Sequence, residues 1–127
     1  MNKKDQQRLL REVDRLEPYP AVFVPQRGGG FEVVFPNLAQ VRAFGPDKDQ
    51  AETAAREMLT AELGRMLQSS EEPPRPSDPE RLVAGDDEPP GTYMIMVSAD
   101  RKTLKSRLGL EKRERGLDLG LGRLGRQ

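Results

Sequence analysis

The sequence predicts an α+β fold: an N-terminal helix, then β-β-β-α-β in a single sheet with one long helix on a face. Three observations carry this. Leu9, Leu10, Val13 and Leu16 recur at helical spacing within a charged segment near the start. Three short β-branched and aromatic runs, YPAVFVP, FEVVF and VRAF, then follow with turn residues between them. A helical pattern occupies residues 48–67, and one more apolar run, TYMIMVSAD, comes after a proline-rich break.

Composition narrows the function before any motif does. A chain of 127 residues suits one domain. Its 21 basic and 21 acidic residues cancel, so no whole-chain field draws it to nucleic acid or anionic membrane. With no Cys there is no disulfide framework, thiolate metal site or cysteine nucleophile. With no His the commonest general base and zinc ligand are missing. No catalytic residue, metal or cofactor is expected. The apolar runs are far short of the roughly 18 residues a membrane span needs, and the charged N-terminus lacks a signal-peptide core. A cytoplasmic location and no membrane association are therefore expected.

Each element has a local reason. Pro18 and Pro20 stop the first helix, residues 3–17. Residues 19–25 read as a strand. Gln26-Arg27-Gly28-Gly29-Gly30 accepts positive φ and turns the chain into a second strand, FEVVF, with Phe31, Val33 and Phe35 on one face and Glu32 and Val34 on the other. A phosphate loop would need a helix and a Lys-Ser/Thr pair after the glycines, and a strand follows instead. Residues 36–40 read as a turn or bulge and 41–44 as a third strand closed by Gly45-Pro46. Asp47 is a helix cap with Gln50 at capping-box spacing. The long helix aligns Ala51, Ala55, Leu59 and Leu63, with Met58, Met66 and Leu67 alongside as core. Residues 68–91 hold six prolines and seven acids against two bases, and form a loop. Tyr93–Val97 is the fourth strand, with apolar residues on both faces, as in a strand covered on both sides or one in a subunit interface.

The long helix can carry a right-handed crossover to a parallel fourth strand set beside the first. The opposite sheet face then needs cover from helix 3–17 or a second subunit. The chain divides into an N-terminal amphipathic helix (1–18), a sheet domain (19–100) containing the acidic proline-rich loop, and a basic, Gly-rich tail (101–127) with nine bases against three acids.

The run from Tyr19 to Leu59 resembles the N-terminal domain of HicB antitoxins and solitary HicB-like proteins. The resemblance lies in Tyr19-Pro20-Ala21, the hairpin around Gly29, Phe35-Pro36-Asn37-Leu38, and Gly45-Pro46-Asp47 leading to Ala51. Asn37 stands where the family has Asp, and Asp47 where it has a Thr cap. The resemblance implies a cut-down RNase H-like fold and a role in binding a small HicA-like mRNA-cleaving toxin. That likeness prompts a search for paired carboxylates. Asp47 is better explained as a cap, Glu32 faces solvent, and neither Asp49 nor Asp100 shares a strand face with another acid.

Three functions follow. The favoured one is an antitoxin that neutralises a HicA-like toxin, with Glu71, Glu72, Asp86, Asp87 and Glu88 as candidate partner-binding acids that screen a basic, RNA-gripping surface. The second is a solitary homo-oligomeric interaction module, a homodimer or higher, without a toxin. The third is weak nucleic-acid binding through Arg101, Lys102, Lys105 and Arg107. Reading Tyr93–Ser98 as a ribbon and Arg101–Arg115 as a first helix would make a ribbon-helix-helix. The glycines of its second half cost about 1 kcal/mol each in a helix, so that module looks incomplete and DNA is a doubtful partner.

Overall fold

A computed structural model describes residues 2–81 and 88–110. The elements are α1 (Lys3–Arg15), β1 (Tyr19–Pro25), β2 (Phe31–Phe35), β3 (Leu38–Gly45), α2 (Lys48–Gln68), a 3₁₀ turn (Pro79–Arg81), β4 (Tyr93–Val97) and α3 (Arg101–Arg107). The four strands form one sheet in the order β3-β2-β1-β4, with every neighbouring pair antiparallel. The fold class is thus the α+β arrangement expected, and β4 does lie beside β1.

Its direction is a correction. The expected parallel crossover is not made: Tyr19 pairs with Val97 and Phe23 with Tyr93. The reason is the connection after α2. It first crosses the end of the sheet where β1 begins, since Tyr19 Oη donates to the Pro74 carbonyl at 2.6 Å. The chain then enters β4 at the opposite end, beside Phe23, and runs back antiparallel.

Short-range chemistry explains most boundaries. Asn2 caps α1 by accepting the Asp5 amide at 2.8 Å, and Asp47 caps α2 through the Gln50 amide at 2.8 Å. Gly28, Gly29 and Gly30 all take positive φ, which lets the β1–β2 hairpin turn without strain. β3 begins at Leu38, earlier than expected, because Pro36-Asn37 alone makes the turn and a register shift at Val34/Phe35 absorbs the irregularity.

α2 covers one sheet face. Ala51, Ala55, Leu59 and Leu63 are fully buried against it, with Phe23, Val33, Phe35 and Val97 beneath. Met58, expected in this core, is instead 45% exposed. The buried stripe rotates along α2 toward Thr60, Gly64 and Leu67, where α3 packs, and leaves Met58 outside.

Of the two covers expected for the second sheet face, the one by helix 3–17 is corrected. α1 packs against α3, burying Leu9 and Val13 in the same core, and its contact with α3 is reinforced by Lys105–Asp14 at 3.3 Å. The packed unit extends beyond Asp100. Leu104, Leu108 and Leu110 are all buried.

Candidate partner-binding surface

The residues that carried the family resemblance are mostly framework. Pro20, Phe35 and Ala51 are buried, Gly29 shapes the hairpin, and Pro36 is exposed in the β2–β3 turn. Gly45 is required by close approach: a Cβ there would overlap the Ala51 amide and the Gln50 carbonyl carbon. Asp47 has its cap to make. Tyr19 is buried, which with nearby Glu17 raises its phenol pKa, and its hydroxyl anchors the proline-rich loop.

That loop is stapled to the sheet end a second time. Asn37 Nδ2 donates to Ser77 Oγ at 2.7 Å, and the Ser77 amide donates to Asn37 Oδ1 at 3.1 Å. An Asn can do both because it carries a donor and an acceptor on one group. In the sequence Asn37 is only a departure from the family pattern; its pairing to Ser77, forty positions away, leaves no local signal.

The acidic candidates do not gather into one patch. Glu71 bonds Arg65 at 2.9 Å, and Arg65 also holds Glu62 at 2.8 Å. Hydrogen bonds from Arg65, with help from Gln40, keep the Glu62 carboxyl below the usual carboxylate range. Glu72 is exposed along a groove of about 750 Å³ between α1 and the loop, where Arg8, Arg15 and Arg75 alternate with Glu12 and Glu17. The groove is therefore of mixed sign. Glu88 is exposed just ahead of β4, while Asp86 and Asp87 lie outside the described residues.

The basic candidates are partly committed to holding α3 in place. An Arg101 guanidinium nitrogen donates to the Leu16 carbonyl at 3.1 Å, and Lys105 pairs with Asp14. Lys102 and Arg107 are exposed. Asp100 caps α3 through the Thr103 amide, which holds its carboxyl below the usual range. The Asp100 amide in turn donates to the hydroxyl of buried Thr60 at 3.0 Å, and that hydroxyl donates to the Arg56 carbonyl at 2.7 Å.

This geometry corrects the ribbon-helix-helix reading. β4 is a member of the sheet, and α3 stops at Arg107 instead of running to Arg115. The Leu110 amide returns to Lys105 and the Gly109 amide to Ser106, with Gly109 at φ +70°, which is a Schellman stop. The remaining tail, from residue 111, lies outside the described residues.

No three Asp or Glu side chains gather at metal-binding distance among the described residues. Glu32, on the face away from α2, pairs with Arg42 at 3.1 Å. No described helix is long and apolar enough to cross a membrane. The described surface carries a mixed-charge groove, a stapled loop and a second sheet face on which Phe44 (57%) and Met96 (42%) are exposed.

No protein-family model and no curated protein matches the chain. Solved structures do. The HicB antitoxin of Burkholderia pseudomallei is similar at 24% identity and a TM-score of 0.61, over 72% of this chain and 69% of that one. A chain of a toxin-antitoxin complex from Streptococcus pneumoniae is 21% identical with a TM-score of 0.58, over 80% of this chain and 90% of that one. A chain of the HicA3 and HicB3 toxin-antitoxin complex is 22% identical with a TM-score of 0.52, over 66% of this chain and 99% of that one. The fold is HicB-like.

Proposed function

We propose that this chain is a HicB-like antitoxin that binds a small HicA-like mRNA-cleaving toxin in the cytoplasm and occludes its RNA-facing surface. The observation that carries the reading is the fold itself, which is shared with an antitoxin and with chains of two toxin-antitoxin complexes. The surface is consistent with a binding role. Apart from the buried, unpartnered Tyr93 hydroxyl, its described polar side chains are paired or exposed, and among the described residues none is set up as a nucleophile or general base. Glu72 and Glu88 are available to meet a basic nuclease, and the stapled loop presents the first of them on a fixed frame.

Co-expression with a HicA-like protein encoded beside this chain tests it. Growth arrest by that protein alone should be relieved by this chain, and the two should co-purify at low salt. Glu72→Lys with Glu88→Lys should slow association at least tenfold, since steering by opposite charge acts mainly on the encounter rate. Unrelieved arrest, with both proteins folded and expressed, would sink the antitoxin reading.

A further inference from the structure

Arg8, Arg42, Arg65 and Lys105 each pair with a carboxylate. Among the described bases, only Arg56 and Arg101 are tied to a backbone carbonyl instead. Arg56 Nε donates to the Ser98 carbonyl at 3.2 Å, and one Arg101 Nη donates to the Leu16 carbonyl at 3.1 Å. Both Nη groups of Arg56, and the Nε and other Nη of Arg101, have no partner among the described residues. The two guanidinium groups line one cleft of about 650 Å³, between the α1–β1 linker, α2 and the β4–α3 junction. Lys102 joins them there, with Glu17 and the capping Asp100 as acids and Leu16, Pro18 and Ala99 as an apolar wall. A guanidinium anchored through one nitrogen holds its remaining N–H groups in fixed directions, and that planar fork matches the oxygens of a phosphate.

We infer that this cleft binds a small molecule carrying one phosphate group, with Arg56 and Arg101 gripping the phosphate and the apolar wall taking the rest of the molecule. The size agrees: about 650 Å³ is a small-molecule site, far larger than a phosphate ion alone. So does the charge. Arg56, Arg101 and Lys102 outnumber Glu17 and Asp100 by one, and Asp100 is turned inward to the Thr103 amide. That balance suits a single phosphate, while Glu17 repels a second one lined up behind it. A nucleic-acid strand needs a continuous basic track. None leads out of this cleft along α3, because Lys105 is drawn to Asp14 and the Arg107 stem lies over Gly64 of α2. A ligand held by Arg56 and Arg101 bridges α2 to α3, so its binding stabilises the folded chain. This site does not depend on the antitoxin reading.

Thermal melting of the full chain at constant ionic strength, followed by circular dichroism, tests the site. Inorganic phosphate and phenyl phosphate should each raise the melting temperature saturably, and phenyl phosphate should act at lower concentration because its ring meets the apolar wall. Arg56→Gln or Arg101→Gln should weaken phenyl phosphate binding roughly tenfold or more, the loss expected for hydrogen bonds to a charged group. Arg42→Gln, on the far side of the sheet, should leave it unchanged. Glu17→Gln should tighten binding about threefold, the scale of one exposed charge, and a damaged fold cannot produce that gain. If an arginine variant fails to fold, Lys102→Gln decides: its side chain makes no bond among the described residues, and its loss should weaken binding about threefold. No saturable response to either phosphate, a response that the folded arginine variants leave intact, or a response only to an RNA strand that vanishes steeply with salt would each overturn the proposal.

Discussion

Single residues here hold disproportionate structural weight, and each makes a measurable prediction. Gly45→Ala forces β3 away from the first turn of α2 and should cost at least about 2 kcal/mol, within the usual range for overpacking a core; denaturant unfolding measures it. Asn37→Ala removes both bonds to Ser77 and should cost about 1–2 kcal/mol, whereas Asn37→Asp keeps the acceptor for the Ser77 amide and should cost less than half of that. Glu62 sets a pH dependence. Its folded carboxyl titrates below its unfolded range near 4.5, so the unfolded chain takes up the proton first. Its contribution is present above that range and is lost as pH falls through and below it. Glu62→Gln should flatten the acid limb of a plot of melting temperature against pH.

At the scale of elements, α3 is the test. Leu104 is fully buried between α1 and α2, and its δ-methyl touches the Gly64 position. Leu104→Ala should cost about 2–5 kcal/mol, the range for emptying a core leucine. Truncation after Asp100 should cost more, since it also exposes Leu9 and Val13; a truncated chain that melts like the full one would show α3 to be an appendage. Much of this layout is legible in the sequence. The Leu and Ala spacing of α1 and α2, the Gly28–Gly30 turn and the Asp47 cap are local signals, and local signals set local structure. The direction of β4 was not legible, because it depends on where residues 74–77 are tied, through Tyr19 and Asn37, far away in sequence. Met58 was misplaced for a related reason: helical periodicity finds an apolar stripe but cannot tell that α3 pulls the buried face around. Of the binding surface, the acids could be counted in advance. That Arg65 engages Glu71, and that arginines from α1 interleave with Glu72, is a product of tertiary packing.

For the whole molecule, the common core of α1, the sheet, α2 and α3 predicts a single cooperative transition. Far-UV circular dichroism and tyrosine fluorescence should report the same midpoint, because Tyr19 and Tyr93 sit at opposite ends of one packed sheet. A separate early loss of helix would show that α1 and α3 fold apart from the rest.

The late position of β4 and α3 in the chain carries one more consequence. Val97, Leu104, Leu108 and Leu110 close a core whose other walls come from residues 9–67. During synthesis those walls leave the ribosome first and wait, unsealed, until residues 97–110 follow. A nascent chain halted between residues 67 and 97 would therefore stay unfinished and open to proteases.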